Sequence, residues 1–337
     1  MRYFFIFMLG LWACSEGKEI RLQRFLLKGN QEVAKRNYDQ AISYFLDAVR
    51  IDPCFADALN NLGTTSFKQG HFEKALSYYD KAIDCHPEYL DSYYNRANTH
   101  YELKAYFSAL QDIEHIATVK PDTSVIHFMR SLIYTRLRNF DAALESLQRA
   151  IDLDGSNADY LTNRAIIKYY LKDYPGAKED LALAKKENHG EPNIYNTYAM
   201  IAIEEGRLAE ALDYVNVALQ SLPAEPYFIN NRGYILLLQN ELDAALEDIN
   251  RSLSLNPYNG WAYRNKGIYY LLREDYLNAE RLLAQAVEMD AFIDKVHFYL
   301  GMAYFKNEKK TLACRQFELS EQAGDAMLTT DMLKLCK

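Results

Sequence analysis

Four positions spaced three, four and three residues apart open the pattern of this chain: Tyr38, Ala41, Phe45 and Ala48. That spacing places all four on one face of a helix, with small residues alternating with large ones. The set returns every 34 residues without a gap, through Ala75, Ala109, Ala143, Ala177, Ala211, Ala245, Ala279 and Ala313. With this alanine numbered position 20 of a unit, position 24 is large and apolar in every unit, from Phe45 to Phe317. Position 27 is small except at Ile116, and position 17 is aromatic or Leu except at Lys310. A further small residue recurs at position 8: Gly29, Gly63, Ala97, Ser131, Ala165, Ala199, Gly233, Gly267 and Gly301. Pro53, Pro87, Pro121, Pro223 and Pro257 fall at position 32.

Small residues at 8, 20 and 27 predict two antiparallel helices that cross closely, and proline at 32 is expected to stop the second. One such hairpin cannot bury its apolar face alone, so stacked neighbours must supply the core. Unit length, small positions and proline together resemble the tetratricopeptide repeat. The resemblance covers nine units, from 22–55 to 294–327, followed by a capping helix over 326–337 with Met327, Leu328, Met332 and Leu335 as its covering residues. It implies an all-α fold, a right-handed solenoid superhelix. Length alone would suggest about two domains, but the unbroken period predicts one continuous array.

Composition adds little to a globular picture until the N-terminus. Residues 3–13 (YFFIFMLGLWA) form an apolar run too short to span a bilayer but suited to a signal peptide. Leu11, Ala13 and Cys14 are spaced as in a bacterial lipobox, with Trp12 a departure from the usual small or aliphatic residue. The resemblance implies removal of 1–13, lipidation of Cys14 and a tether over 14–21. An ordinary secretory signal, or a retained apolar helix, are the alternatives. None of Cys54, Cys85, Cys314 and Cys336 forms a CxxC; an oxidising compartment permits Cys54–Cys85 and Cys314–Cys336 bridges, and single free thiols are the plainer expectation. The net charge of −8, with no basic run, argues against nucleic acid as a partner.

In the resembling family the first helix of each unit lines a concave face through positions 2, 5, 6, 9, 12 and 13. Position 6 carries Asn61, Asn95, Asn163, Asn231 and Asn265, and Asn60, Asn196 and Asn230 occupy position 5. An amide side chain both donates and accepts, so a row of them suits a peptide backbone of any sequence, and equally suits bridges between neighbouring units. Further along, Tyr227, Tyr234, Leu238, Trp261, Ile268, Leu272, Phe298 and Met302 predict an apolar stretch. Either a partner segment docks there or the curvature of the array lets the units cover one another.

No HExxH, no phosphate-cradling glycine loop and no paired carboxylates stand out, so neither catalysis, a metal nor a cofactor is expected. His100 and His127 could approach across adjacent units. The expected function is a non-catalytic adaptor of the bacterial cell envelope, lipid-anchored, with the outer membrane favoured because Ser15 follows Cys14. A cytosolic co-chaperone or assembly adaptor is the alternative; the family's carboxylate clamp puts Lys at position 5, where this chain has none.

Overall fold

The computed structural model describes residues 17–325, 327–329, 332, 334 and 336. Cys14 and the apolar segment before it, and Leu335 of the expected capping helix, lie outside the described residues. Eighteen α-helices and no strand occur among the described residues. The chain divides into two compact units, residues 1–155 and 156–337. The period runs through that boundary unbroken, so the division falls in the last residues of repeat four, after its second helix, rather than at a change of fold.

The first compact unit contains α1 (Lys18–Ala34), α2 (Tyr38–Ile51), α3 (Ala56–Lys68), α4 (Phe72–Cys85), α5 (Leu90–Glu102), α6 (Tyr106–Val119), α7 (Ser124–Arg136) and α8 (Phe140–Leu153). The second contains α9 (Ala158–Tyr170), α10 (Tyr174–Glu187), α11 (Pro192–Glu204), α12 (Leu208–Ser221), α13 (Pro226–Leu238), α14 (Leu242–Leu255), α15 (Gly260–Leu272), α16 (Tyr276–Met289), α17 (Val296–Lys306) and α18 (Lys310–Gln322). Within each compact unit, odd-numbered helices pack against the even-numbered helix that follows, and each even-numbered helix packs against the next hairpin. The first helix starts at Lys18, four residues ahead of the repeat, so the expected tether is helical from there on.

The close crossing at position 8 is visible in what a methyl group would meet. A Cβ on Gly29 would lie 2.2 Å from the Phe45 ring, and one on Gly301 would lie 2.5 Å from the Phe317 ring. Where position 8 is alanine, position 24 is a smaller aliphatic group, as in Ala165 with Leu181 and Ala199 with Val215, all fully buried. The largest groups at position 24, Phe45, Tyr79 and Phe317, thus all face a glycine, although Gly233 and Gly267 face the smaller Ile249 and Leu283.

Every first helix ends alike. Position 15 takes a left-handed conformation in all nine repeats, with φ of 77° at Gly70, 73° at Gly206 and 59–63° at Arg36, Lys104, Arg138, Lys172, Asn240, Glu274 and Glu308. The next residue's N–H reaches back to close the helix, as Asn37 does to the Glu32 carbonyl and Lys309 to the Tyr304 carbonyl, each at 2.9 Å. Proline at position 32, by contrast, is not what stops the second helix. Helices α8, α10 and α16 end at the same repeat position as the proline-bearing units although Gly155, His189 and Ala291 stand there. In all of them the residue after the last helical one leaves the helical region, with φ between −137° and −160° and ψ between 80° and 108°, which breaks the hydrogen-bond ladder before proline is reached.

Two disulfides correct the expectation of free thiols. Cys54 is joined to Cys85, with Cα atoms 5.5 Å apart, and Cys314 to Cys336, with Cα atoms 5.4 Å apart. The first ties the loop after α2 to the end of α4; the second ties α18 to the C-terminal segment, in which Met332 and Lys334 are helical.

Candidate functional site

The asparagine row lies on the first helices and is largely engaged within the chain. Asn95 donates to Asn60 Oδ1 at 2.9 Å, Asn231 to Asn196 Oδ1 at 2.8 Å and Asn265 to Asn230 Oδ1 at 2.8 Å. In each pair the amide at position 6 reaches position 5 of the repeat before. Asn61 donates to Asn30 Oδ1 at 3.0 Å in the same sense. Asn163 stands apart, its amide turned to the Asp159 carbonyl of its own helix at 2.8 Å. Bridging between repeats therefore engages the amides at positions 61, 95, 231 and 265, which as a result are not a row of unengaged donors.

The apolar stretch is divided in the same way. Tyr234, Ile268 and Phe298 are buried, and Met302 packs with Leu328 and Met332 against the same core cluster. This is a correction to the expectation that they line an open groove: side chains of α11 and α13 to α17, with Leu328 and Met332, pack around them. Two contacts distant in sequence accompany that closure. Lys295 Nζ meets Glu204 at 2.7 Å, and Lys172 Nζ donates to the Gly324 carbonyl at 3.1 Å. Burial disfavours the Lys295 charge, but Tyr234, Asp294 and Glu204 outweigh it and raise its pKa. What remains open on this face is Tyr227, 47% exposed, with Leu238 and Leu272. Trp261 is half-buried and packs against the cluster of Ile293 and Val296. Beside it the buried Arg264 guanidinium lies 5.0 Å from the Trp261 ring and 4.5 Å from Tyr234, and donates to Asn265 Oδ1 and the Asp294 carbonyl.

A second set of contacts was not anticipated from sequence. Arg96, Arg164 and Arg232 all occupy position 7, and each grips with two nitrogens the aspartate at position 23, which lies 16 residues on: Asp112, Asp180 and Asp248. The fork distances lie between 2.6 and 3.0 Å, and the aspartates are buried. Elsewhere the same two positions hold the stacked pair Tyr198–Tyr214, ring centroids 5.1 Å apart, or Lys28 over Tyr44. The signal that could have revealed this is the joint recurrence of Arg and Asp at a fixed separation within three units. His100 and His127 are each held below the usual histidine pKa, mainly by burial, and His127 Nε2 sits 3.0 Å from the Pro121 carbonyl. No group of three metal-ligating side chains occurs among the described residues.

Residues 56–89, 125–157 and 199–260 match the tetratricopeptide repeat family. No curated protein matches the chain. Among solved structures, a chain of the APC/C hetero-tetramer Cut9–Hcn1 aligns over 95% of this chain at 16% identity with a TM-score of 0.65. This chain spans 63% of the length of that one. The pilF protein of Pseudomonas aeruginosa aligns over 62% of this chain and 95% of its own, at 19% identity and a TM-score of 0.54. Identities at that level establish the fold alone. Sequence matches in three segments, eighteen paired helices and a constant period lead to one conclusion: this chain carries tetratricopeptide repeats, and its fold is the solenoid of helix hairpins that they build.

Proposed function

We propose that the protein is a non-catalytic adaptor of the bacterial cell envelope, anchored through a lipid on Cys14, which holds a partner polypeptide against its first-helix face. The tetratricopeptide fold supports a protein-interaction scaffold in general. The observation that carries the compartment is the pair of disulfides, because such bonds persist in secreted and periplasmic proteins and are rare where glutathione keeps thiols reduced. The same observation weighs against the cytosolic co-chaperone reading. The partner's contact surface is the part of the face left open, Tyr227, Trp261, Leu238 and Leu272, together with Asn163. Exposed Tyr and half-buried Trp are residues on which interface energy concentrates.

The test has two arms. Cys14→Ser should move the protein from the membrane fraction to the soluble fraction and remove the lipid mass; equal fractionation and equal intact mass would sink the anchor. Cross-linking and purification of the membrane-extracted protein identifies the partner. Trp261→Ala should then weaken its capture roughly thirtyfold, at about 1.4 kcal/mol per decade, and Tyr227→Ala roughly tenfold. Wild-type affinity in both folded variants would place the contact on another face.

A further inference from the structure

The fourth repeat breaks the Arg–Asp pattern on one side only. Arg130 occupies position 7 like Arg96, Arg164 and Arg232, but position 23 holds Ser146, whose hydroxyl donates to the Ala142 carbonyl of its own helix at 2.7 Å. Arg130 Nη2 keeps one carboxylate, Glu114 of the preceding repeat, at 2.7 Å. Its Nε, the atom that donates to the aspartate in all three sister repeats, is buried and makes no hydrogen bond among the described residues. A buried donor left unmatched is costly and uncommon.

An open pocket of about 630 Å³ adjoins this arginine, lined by Glu114 of α6, His127, Arg130 and Tyr134 of α7, and Ser146 and Arg149 of α8. Space therefore exists beside the unmatched guanidinium. We propose that this pocket is a carboxylate-binding site, in which an incoming carboxylate takes the place that aspartate fills in repeats three, five and seven. Arg130 anchors it, and the Arg149 guanidinium adds positive charge on the facing helix. The third repeat shows that one arginine at this position accommodates two carboxylates together: Arg96 binds Asp112 through Nε and Nη2, and Asp80 through Nη1 at 2.7 Å.

The acidic groups at the pocket set the strength of the interaction. Glu114 is engaged by Arg130, and Asp122, next to the site, by Arg149 at 2.6 Å; Asp152 accepts from Gln148, while Glu145 also lines the pocket. These charges oppose a free anion, so an isolated carboxylate should bind with a dissociation constant on the order of 1–10 mM. Because Nε has no solvent contact, occupancy also requires the guanidinium to turn within the pocket. A carboxylate delivered on a polypeptide adds neighbouring contacts, and its source is either an acidic side chain or a chain terminus. The site draws on the second helices α6 and α8 as well as α7, contains no residue of the asparagine row, and does not depend on the function proposed above.

The experiment follows the Arg130 Nε–H resonance of the full chain by NMR. The probes are acetate, an acetylated and amidated glycine–glutamate–glycine peptide, and acetyl-diglycine. Saturable shifts with at least one probe are expected. Tighter binding of the glutamate peptide identifies a side-chain source, and tighter binding of acetyl-diglycine a terminal one. Ser146→Asp, which supplies the missing carboxylate internally, should weaken binding at least tenfold and raise the melting temperature by on the order of 2 °C. Arg130→Gln and Arg130→Lys should also lose binding, followed through Arg149, whereas Ser146→Ala should retain it; these keep the test decisive if the aspartate variant fails to fold. No shift up to roughly 30 mM probe, about three times the upper end of the expected constant, would overturn the proposal. So would an equal shift with sodium chloride at matched ionic strength, or unchanged binding in Arg130→Gln.

Discussion

At the scale of single residues, two kinds of polar contact on these helices differ in what their loss should cost. Asp180 is buried between Arg164, which grips it through two nitrogens, and Lys168 at 2.8 Å. Asp180→Ala would leave two cations without their carboxylate, and should destabilise the fold by about 3 kcal/mol. Asn163→Ala, which removes only a bond to its own helix, should stay within about 0.5 kcal/mol. Denaturant midpoints at constant slope check both; similar losses in the two variants would contradict the distinction. The sequence announces the asparagines by their recurrence, but not their partners. An amide at position 6 satisfies a peptide backbone or the amide of the preceding repeat with the same chemistry, and only the distance from Asn95 to Asn60 decides between them. The Arg–Asp pairs were legible in principle, as a fixed separation of two charges, yet singly each charge resembles a solvated surface residue.

At the scale of the helix hairpin, packing and turn make separate demands. Ala143 is fully buried where α7 crosses α8, so Ala143→Leu should overpack the crossing and cost about 1–3 kcal/mol. The turn between those helices holds Arg138 at φ 59°, a conformation that a side chain with a Cβ adopts at a cost and glycine adopts freely. Arg138→Gly should therefore stabilise the protein by up to about 1 kcal/mol, with glycine's larger unfolded-state entropy limiting the gain. A lower melting temperature for Arg138→Gly would show that the arginine side chain contributes more than its backbone costs. The hairpin was the most legible level. Small residues at positions 8, 20 and 27 specified the crossing, and Gly29 opposite Phe45 shows why the small residue must be there. The left-handed turn was hidden because only Gly70 and Gly206 of the nine carry the residue that advertises it. Proline misled in the opposite direction, being common near the helix end without setting it.

At the scale of each whole compact unit, terminal repeats have a neighbour on one side only and are the first to fray. Each disulfide lies at such an end, joining Cys54 to Cys85 across a sequence separation of 31, and Cys314 to Cys336 across one of 22. Loop closure of that length is worth about 3–4 kcal/mol in the chain-entropy description. Reduction should therefore speed amide exchange in α1 and α2, and in α18 with the segment after it, while α11 to α14 remain protected. Mass spectrometry after brief labelling reads this directly; uniform acceleration would mean that each compact unit opens as one. The cover over Tyr234, Ile268 and Phe298 could not be read from repeat positions. It depends on contacts such as Lys295 with Glu204, separated by 91 residues, and no local pattern encodes those.

The unvarying spacing of the left-handed turns has a consequence for heredity. Because the turns recur with no inserted or missing residue, a recombination between the coding segments of two repeats returns the reading frame and the helical register together. A copy of the fifth repeat gained in this way would arrive with its own ionic pair, since Arg164 and Asp180 travel inside one module. The amide contacts do not travel so: Asn231 needs Asn196 from the module before it. Shuffling would therefore preserve each module and redraw its seams, leaving the seams as the record of which modules have long been neighbours.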